Sequence, residues 1–262
     1  MLKIENTEVV GWEHAIRGMR NPMNSWEKSD SFCKPSTENC CGCNDYDKCA
    51  YIFESTGKPY RGDIGPNDLD LMTRLRNSGT DHRKFMRMIT VYLDITAPLY
   101  WWKEFDTYKV GTVANSCSTM HKIHAKEFTL EDFSCEHLIG SPIPNFNKHV
   151  HVTEKAEAGN KCYSFGIGAT PICFMEWVIG VLNAYRELYL KTKDKDYWWQ
   201  MIQLLPSSYN QRRTVMLNYE VLANIYKSRK DHKLDEWHTF CDWIKSLPHS
   251  ELITGQSVDE KG

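Results

Sequence analysis

The chain has 262 residues, of which 41% are hydrophobic and 25% are charged. This composition is that of an ordinary globular protein, so it excludes a collagen, a disordered tail and a small disulfide-rich scaffold. Lys and Arg total 32 against 34 Asp and Glu, which leaves no overall positive charge to attract extended nucleic acid or an anionic membrane. Any phosphate site must therefore be local.

The sequence predicts a cytoplasmic protein without a membrane segment. The apolar stretch from Pro171 to Leu182 is interrupted by Glu176 and is shorter than the roughly 20 residues that cross a bilayer. Residues 1–6 lack the basic start and apolar core of a signal peptide. The ten cysteines are therefore expected to be thiols, because disulfides are rare in a reducing compartment.

Near the N-terminus the pattern predicts a brief strand, a short helix from Trp12 to Arg20, and an irregular Cys-rich insertion over residues 28–62. A helix is predicted to follow, with a capping box between Asn67 and Asp70 and an end at Gly79. Its apolar stripe consists of Leu71, Met72 and Leu75.

The Cys-rich insertion contains half of the cysteines. The zinc candidates are Cys33, Cys40, Cys43 and Cys49. Their spacing lacks the paired Cys-x-x-Cys knuckles of structural zinc sites, so it favours a metal-free surface insertion over a zinc site. The other five cysteines are scattered, and all except Cys117 are expected to be small buried residues.

The central segment predicts a strand followed by a helix. Residues 88–96 alternate strictly, which places Ile89, Val91, Leu93 and Ile95 on one buried face. Ala97-Pro98 ends the strand, and a helix is predicted from Leu99 to Thr107. Adjacent helical residues point about 100° apart. We therefore expect one tryptophan of each pair to pack and the other to face a subunit or ligand, the pairs being Trp101-Trp102 and Trp198-Trp199.

The C-terminal half predicts mainly helices. Thr129 and Asp132 form a second capping box, residues 134–168 form a loop insertion, and Thr170 caps a long helix that starts at Pro171. Two further helices are predicted, from Arg213 to Arg229 and from Lys233 to Leu247, before a frayed tail over residues 253–262. The length of the chain favours a single domain over residues 1–262.

Asn218 is the most unusual residue of the helix predicted from Arg213. It falls in the middle of the buried stripe, where an unpaired amide costs about 1–3 kcal/mol, so it should bind either backbone or a ligand. Arg229 lies eleven residues further on, on the same face and about 16 Å along the axis. Two interpretations remain open: a structural amide with an arginine that complements the helix dipole, or a polar pair that faces a ligand.

Residues 67–125 and 171–247 resemble the flavin-dependent thymidylate synthases. The match includes the strand, Ala97-Pro98 and the following helix, and it continues through Leu204-Leu205-Pro206, Asn218, Leu222, Asn224, Arg229, Asp231-His232 and Trp237. The resemblance implies an α/β fold with an antiparallel sheet flanked by helices, assembled as a homotetramer. It also implies reductive methylation of dUMP, with FAD as cofactor, methylenetetrahydrofolate as carbon donor and NADPH as hydride source.

Carried over by position, the resemblance assigns Asn218 and Asn224 to the flavin and Arg229 to the nucleotide phosphate. The family's Arg-His-Arg motif falls on Thr107-Tyr108-Lys109, and the family serine that follows it falls on Thr112. Lys109 could replace one arginine as a point charge near the cofactor. Another family arginine that contacts dUMP falls on Ile202, which makes the neighbouring Gln203 a substrate-binding candidate.

Cys117 falls where the family places a serine against the nucleotide. Its neighbours Ser116 and Ser118 are substrate-binding candidates, because short hydroxyls suit a phosphate or a base edge. A thiolate at this position could add to C6 of a pyrimidine and so activate C5, whereas the alternative is a buried inert thiol. For the whole chain, the alternatives to an enzyme are an inactive nucleotide-binding or regulatory protein and a structural protein built around the cysteine insertion.

Overall fold

The structure is a computed structural model that describes residues 1–31, 64–144 and 170–255. The zinc candidates Cys33, Cys40, Cys43 and Cys49 lie outside these residues. So do most of the two predicted insertions and residues 256–262 of the predicted tail. The metal-free insertion therefore stays a prediction.

The fold contains an antiparallel sheet of four strands in the order β1-β2-β4-β3. The strands are β1 (Lys3–Val10), β2 (Thr90–Pro98), β3 (Val113–Ser116) and β4 (Asn210–Asn218). In the antiparallel pair of β3 and β4, Val113 lies opposite Met216 and Ser116 lies opposite Arg213. This mixed α/β architecture confirms the predicted fold class.

Strand β2 confirms the alternation predicted from the sequence. Its four apolar residues, together with Ile89 just before it, form a face that is at most 1% exposed: Ile89, Val91, Leu93 and Ile95 are buried, as is Ala97. On the other face, the Asp94 carboxylate accepts hydrogen bonds from Thr214 and Arg212 on β4 and from Asn6 on β1. These bonds lower the pKa of Asp94 to about 2, so the carboxylate joins three strands in its ionised form.

The described α-helices are α1 (Trp12–Arg20), α2 (Pro66–Asn77), α3 (Leu99–Phe105), α4 (Pro171–Thr192), α5 (Lys195–Leu204), α6 (Tyr219–Arg229), α7 (Asp235–Ser246) and α8 (Glu251–Thr254). A 3-10 helix spans Arg83–Arg87. In the described ranges, none of the helices combines the length and hydropathy that a bilayer span requires.

Contacts between Cα atoms divide the chain into two compact units. The first unit comprises Met1, Thr96–Lys103 and Cys117–Gln211, and the second comprises Leu2–Ile95, Glu104–Ser116 and Arg212–Gly262. The single domain expected over residues 1–262 stays a prediction.

The core of the first unit is an aromatic and aliphatic cluster that consists of Ile123, Phe128, Phe133, Leu182 and Met201. Two predicted caps beside it are confirmed. Thr129 and Asp132 form a capping box, and the Thr170 hydroxyl accepts from the Cys173 amide to begin α4. These caps act over three residues, which is why their sequence pattern identifies them.

The expectation for the first tryptophan pair is wrong. Trp101 and Trp102 are both at most 1% exposed, and the Trp102 indole donates to the backbone oxygen of Gln211 at 2.9 Å. Both indoles are enclosed by the protein, so neither ring is left for a ligand. In the second pair, Trp198 packs against the core cluster of the first unit, as expected, and Trp199 is 40% exposed. That Trp199 faces a subunit or ligand stays a prediction.

The helix predicted from Arg213 is also wrong over its first six residues, which belong to strand β4. Val215 and Leu217 alternate with more exposed neighbours and are fully buried, a period of two that indicates a strand. Helix α6 begins at Tyr219, and Asn218 is its N-cap, with Oδ1 accepting from the Val221 amide at 3.1 Å. Asn218 and Arg229 therefore do not share a helical stripe.

The capping box predicted between Asn67 and Asp70 does not form. The two oxygens of Asp30 accept hydrogen bonds instead from the backbone amides of Asn67 and Asp68, at 2.9 and 3.1 Å. The helix is thus capped by a residue more than thirty positions away, a contact that no local pattern contains.

The cysteines outside the Cys-rich insertion differ in solvent exposure more than expected. Cys241 is buried, Cys135 is half-buried, and Cys173 is exposed, so the expectation of burial is wrong for Cys173. It occupies the third position of α4, on the solvent side. Cys162 lies outside the described residues.

Candidate functional site

The second unit brings together two segments that the resemblance places at the ligand. Tyr108, the middle residue of the triplet at the Arg-His-Arg position, accepts a hydrogen bond from Arg229 Nε at 2.9 Å. These residues are 121 positions apart in sequence. Their contact makes the end of α3, the loop after it and the end of α6 one candidate site.

Glu104 lies at the centre of this site. Its Oε2 accepts from Arg229 Nη1 at 2.8 Å and from the Trp237 indole at 2.9 Å, and His232 Nε2 lies 3.3 Å away. His232 Nδ1 accepts from the Leu234 amide at 3.2 Å, so its proton is on Nε2, facing the carboxylate. Sequence analysis missed Glu104, because a glutamate in a short helix has no distinctive pattern.

Arg229 is held from several directions. Its guanidinium carbon lies 4.8 Å from the centre of the Trp237 ring and 5.6 Å from that of Tyr108, and its side chain is 18% exposed. Its ion pair is with Glu104 rather than with Asp231, which is only two residues away in sequence. Asp231 is instead 3.9 Å from Lys230 and largely exposed. Arg229 is therefore preoriented, and its charge is partly neutralised.

The loop before β3 lies against the start of α6. Gly111 has φ +78°, and a Cβ there would lie 2.8 Å from Asn218 Nδ2 and 3.2 Å from Val221 Cγ2. A side chain at this position would therefore separate the loop from the helix. The next residue, Thr112, has a buried hydroxyl oxygen without a hydrogen-bond partner among the described residues, and Lys109 is exposed nearby in the chain.

Asn224, on the exposed side of α6, belongs to a different polar group. Its Oδ1 accepts from Arg83 Nη2 at 3.1 Å, and Arg83 Nε donates to Glu220 at 3.3 Å. Arg87 also binds Glu220. Burial raises the pKa of Glu220, but the hydrogen bonds from Arg87 and Arg83 outweigh it and the net pKa is lowered, so Glu220 is a carboxylate.

The other assigned residues lie elsewhere. Ser116 ends β3 in the second unit and is exposed. In the first unit, Gln203 is exposed near the end of α5, and the Ser118 hydroxyl accepts from the amides of Met120 and His121, which closes a turn. Cys117, also in the first unit, is exposed. The expectation that Cys117 is buried is therefore wrong, and its reactivity stays a prediction.

The donors present suit a phosphate-bearing or carbonyl-bearing ligand. The exposed Lys109 ammonium and the exposed Asn224 amide can both donate to oxygen acceptors. The residues at the positions assigned to the cofactor therefore fit a flavin dinucleotide in chemical type. No group of three or more His, Cys, Asp or Glu side chains positioned for a metal occurs in the described parts of the chain.

Comparisons with known proteins give a structural likeness without a sequence relative. No family model matches the chain, and no curated protein matches it in sequence. The fold is similar to the flavin-dependent thymidylate synthase ThyX from Helicobacter pylori, solved with FAD and dUMP, with a TM-score of 0.58 and 13% identity over 97% of this chain and 98% of that one.

A second solved structure with this likeness is the UMP/dUMP methylase PolB from Streptomyces cacaoi, bound to 5-Br dUMP. Its TM-score is 0.51, with 12% identity over 97% of this chain and 95% of the other. Identities this low say nothing about activity, but the coverage extends over nearly the whole length of each chain. The chain therefore has the fold of the flavin-dependent thymidylate synthases.

Proposed function

We propose that the protein binds a pyrimidine mononucleotide and modifies its base at C5, by reductive methylation of dUMP or a related reaction. The observation that carries this proposal is the contact between Tyr108 and Arg229. The resemblance assigns the segments that contain these two residues to the ligand site, and in this fold the two segments are in contact. The fold likeness to proteins solved with dUMP and 5-Br dUMP is consistent with it.

In this proposal Arg229 binds the nucleotide phosphate. Its position between two aromatic rings holds the guanidinium in place, so less conformational entropy is lost on binding. A phosphate would replace Glu104 as the partner of Nη1, because both present oxygens to the same fork. Gln203, Ser116 and Ser118 remain proposed substrate contacts. Cys117, which is exposed as a nucleophile must be, remains the proposed catalytic thiol.

FAD is the proposed cofactor, with Lys109, Asn218 and Asn224 as its ligands. When bound, a flavin supplies hydride-transfer chemistry that side chains cannot. This chain would contribute hydrogen bonds from the Asn224 amide and a positive charge from Lys109. NADPH and methylenetetrahydrofolate are the proposed co-substrates.

An inactive nucleotide-binding or regulatory protein on the same scaffold is the second candidate. The specific observation in its favour is that Thr107 and Tyr108 stand in place of the first arginine and the histidine of the family motif, and that Glu104 partly neutralises Arg229. Such a site would bind a nucleotide but would lack charged residues that the family has in its Arg-His-Arg motif.

Flavin and nucleotide binding separate these candidates. We expect the full-length protein, incubated with FAD and then gel-filtered, to retain the visible absorbance of oxidised flavin, and calorimetry to detect dUMP binding. Lys109→Gln should weaken flavin retention, whereas Lys103→Gln, an exposed lysine on α3, should not. Binding of dUMP without flavin would favour the inactive protein, and binding of neither would contradict both candidates.

We further propose that the protein assembles as a homotetramer. Helix α4 leaves large apolar side chains in solvent, among them Phe174 at 46% and Trp177 at 45% exposed, with Leu188 further along. Exposed apolar groups clustered on one element are typical of an interface. Multi-angle light scattering at micromolar concentration should give four times the chain mass, and a monomer would refute the assembly.

A further inference from the structure

A polar cavity lies within the second unit, on the side of α6 that carries Asn224. Its volume is about 260 Å³. It is formed by the end of α2, the 3-10 helix Arg83–Arg87, the C-terminal half of α6 and helix α8. Among the polar and charged side chains that line it are Arg76, Arg83, Asn224, Lys227, Lys230 and Thr254.

The lining of this cavity carries four cations, and no carboxylate is among its described lining residues. Arg76 donates to the backbone oxygens of Leu252 and Ile253, both at 3.2 Å, so its guanidinium is positioned by peptide groups. Arg83 forms an ion pair with Glu220, but the same carboxylate also pairs with Arg87. The cavity therefore has an excess of positive charge.

The positive side chains are close enough to affect one another. Burial lowers the pKa of Arg76, and the charge of Arg83 lowers it further. Two guanidiniums that repel each other in a partly buried cavity raise the free energy of the folded protein, and an anion between them removes that cost. Asn224 adds a neutral donor, because its oxygen already accepts from Arg83 and its amide hydrogens remain for a ligand.

The volume and the charge of the cavity together indicate which class of ligand it can bind. Pockets for whole small molecules usually measure about 300–1,000 Å³, so this cavity suits a headgroup rather than a complete nucleotide. One phosphate would leave much of the charge of four cations unmatched, whereas two linked phosphates can contact both the arginines and the lysines. Arginine recognises planar pairs of phosphate oxygens, and lysine adds a point charge.

We propose that this cavity binds a diphosphate group. The chemistry is shared by nucleoside diphosphates and triphosphates and by the pyrophosphate bridge of a dinucleotide. The cavity is separate from the Glu104–Arg229 cluster but shares Asn224 with the residues proposed to bind FAD. Inorganic pyrophosphate contains neither a flavin nor a nucleoside, so its binding tests the cavity whether or not the proposed function is correct.

The experiment is calorimetric titration of the full-length protein with inorganic pyrophosphate at low ionic strength. The variant is Lys227→Gln/Lys230→Gln, because both lysines are on the exposed side of the cavity and their loss leaves the Arg83–Glu220 pair intact. The matched control, Lys103→Gln/Lys233→Gln, removes the same charge from exposed positions outside the lining. We expect the parent and the control to bind equally and the variant to bind at least tenfold more weakly.

Absence of pyrophosphate binding by the parent, or equal loss in both double variants, would overturn the proposal. Competition experiments with pyrophosphate then identify the type of ligand that carries the diphosphate group. Displacement of pyrophosphate by UDP but not FAD indicates a nucleoside diphosphate or triphosphate, and displacement by FAD indicates the dinucleotide. If dUMP displaced pyrophosphate as effectively as UDP, a single phosphate would suffice and the diphosphate assignment would be wrong.

Discussion

Replacing Asp68 with Ala is expected to destabilise the protein by about 3–5 kcal/mol, the usual cost of removing one partner of a buried ion pair. The Asp68 side chain is fully buried and that of Arg20 is 5% exposed, with 2.6 Å between Arg20 Nε and Asp68 Oδ1. The other carboxylate oxygen accepts from the Ser29 hydroxyl and the Ser31 amide. The substitution would leave the guanidinium and both donors without their acceptor.

Chemical denaturation of the variant and the parent measures this effect. Asp70→Ala is the matched control, because it lies on the same helix and pairs with Arg74 while 64% exposed, and exposed pairs contribute about 0–1 kcal/mol. Similar unfolding free energies for the two variants would show that Asp68 contributes no more than a surface charge.

The same carboxylate predicts a loss of stability in acid. Burial raises the pKa of Asp68, but hydrogen bonds from Ser31, Ser29 and Arg20 outweigh it, so the folded-state pKa lies below the ordinary value. A depressed carboxylate pKa contributes stability that is present above the unfolded-state pKa and is lost as the pH falls through the folded-state pKa. The parent should therefore lose more unfolding free energy at acidic pH than Asp68→Ala does.

Arg229→Ala is expected to weaken dUMP binding at least tenfold. A guanidinium fork on a phosphate makes two charged hydrogen bonds, which contribute about 1.5–3 kcal/mol each. From the sequence, the melting temperature is expected to stay nearly unchanged. The contacts with Glu104, Tyr108 and Trp237 revise that expectation, and about 1–2 kcal/mol of stability should also be lost.

Calorimetry with dUMP and thermal unfolding separate the two effects. Arg213→Ala serves as the control, since it also breaks an ion pair in the second unit, with Asp106, but is not itself a proposed ligand contact. Glu104→Gln should tighten dUMP binding several-fold, because it removes the negative charge that competes with the phosphate for Arg229. If Arg229→Ala and Arg213→Ala bind dUMP equally, Arg229 is a structural residue.

Elements whose causes are local could be predicted from the residues alone. Strand β2 was predictable because its alternation follows directly from the two-residue period of a strand with one buried face. The caps at Thr129 and Thr170 were predictable because donor and acceptor are three residues apart. Helix α1 and most of α7 were predictable for the same reason, from residue spacing within a few turns.

Features that depend on residues far apart in sequence could be identified only from the three-dimensional structure. The apolar side chains of residues 213–218 fit both the period of a helix and the period of a strand. Pairing with β3 makes the segment a strand. Asn218 is therefore the N-cap of the helix that follows. The cap of α2 comes from Asp30, and the counterion of Arg229 comes from Glu104, 125 residues away. Such contacts form because buried charges and helix ends require partners, and which residue supplies the partner depends on the path of the whole chain.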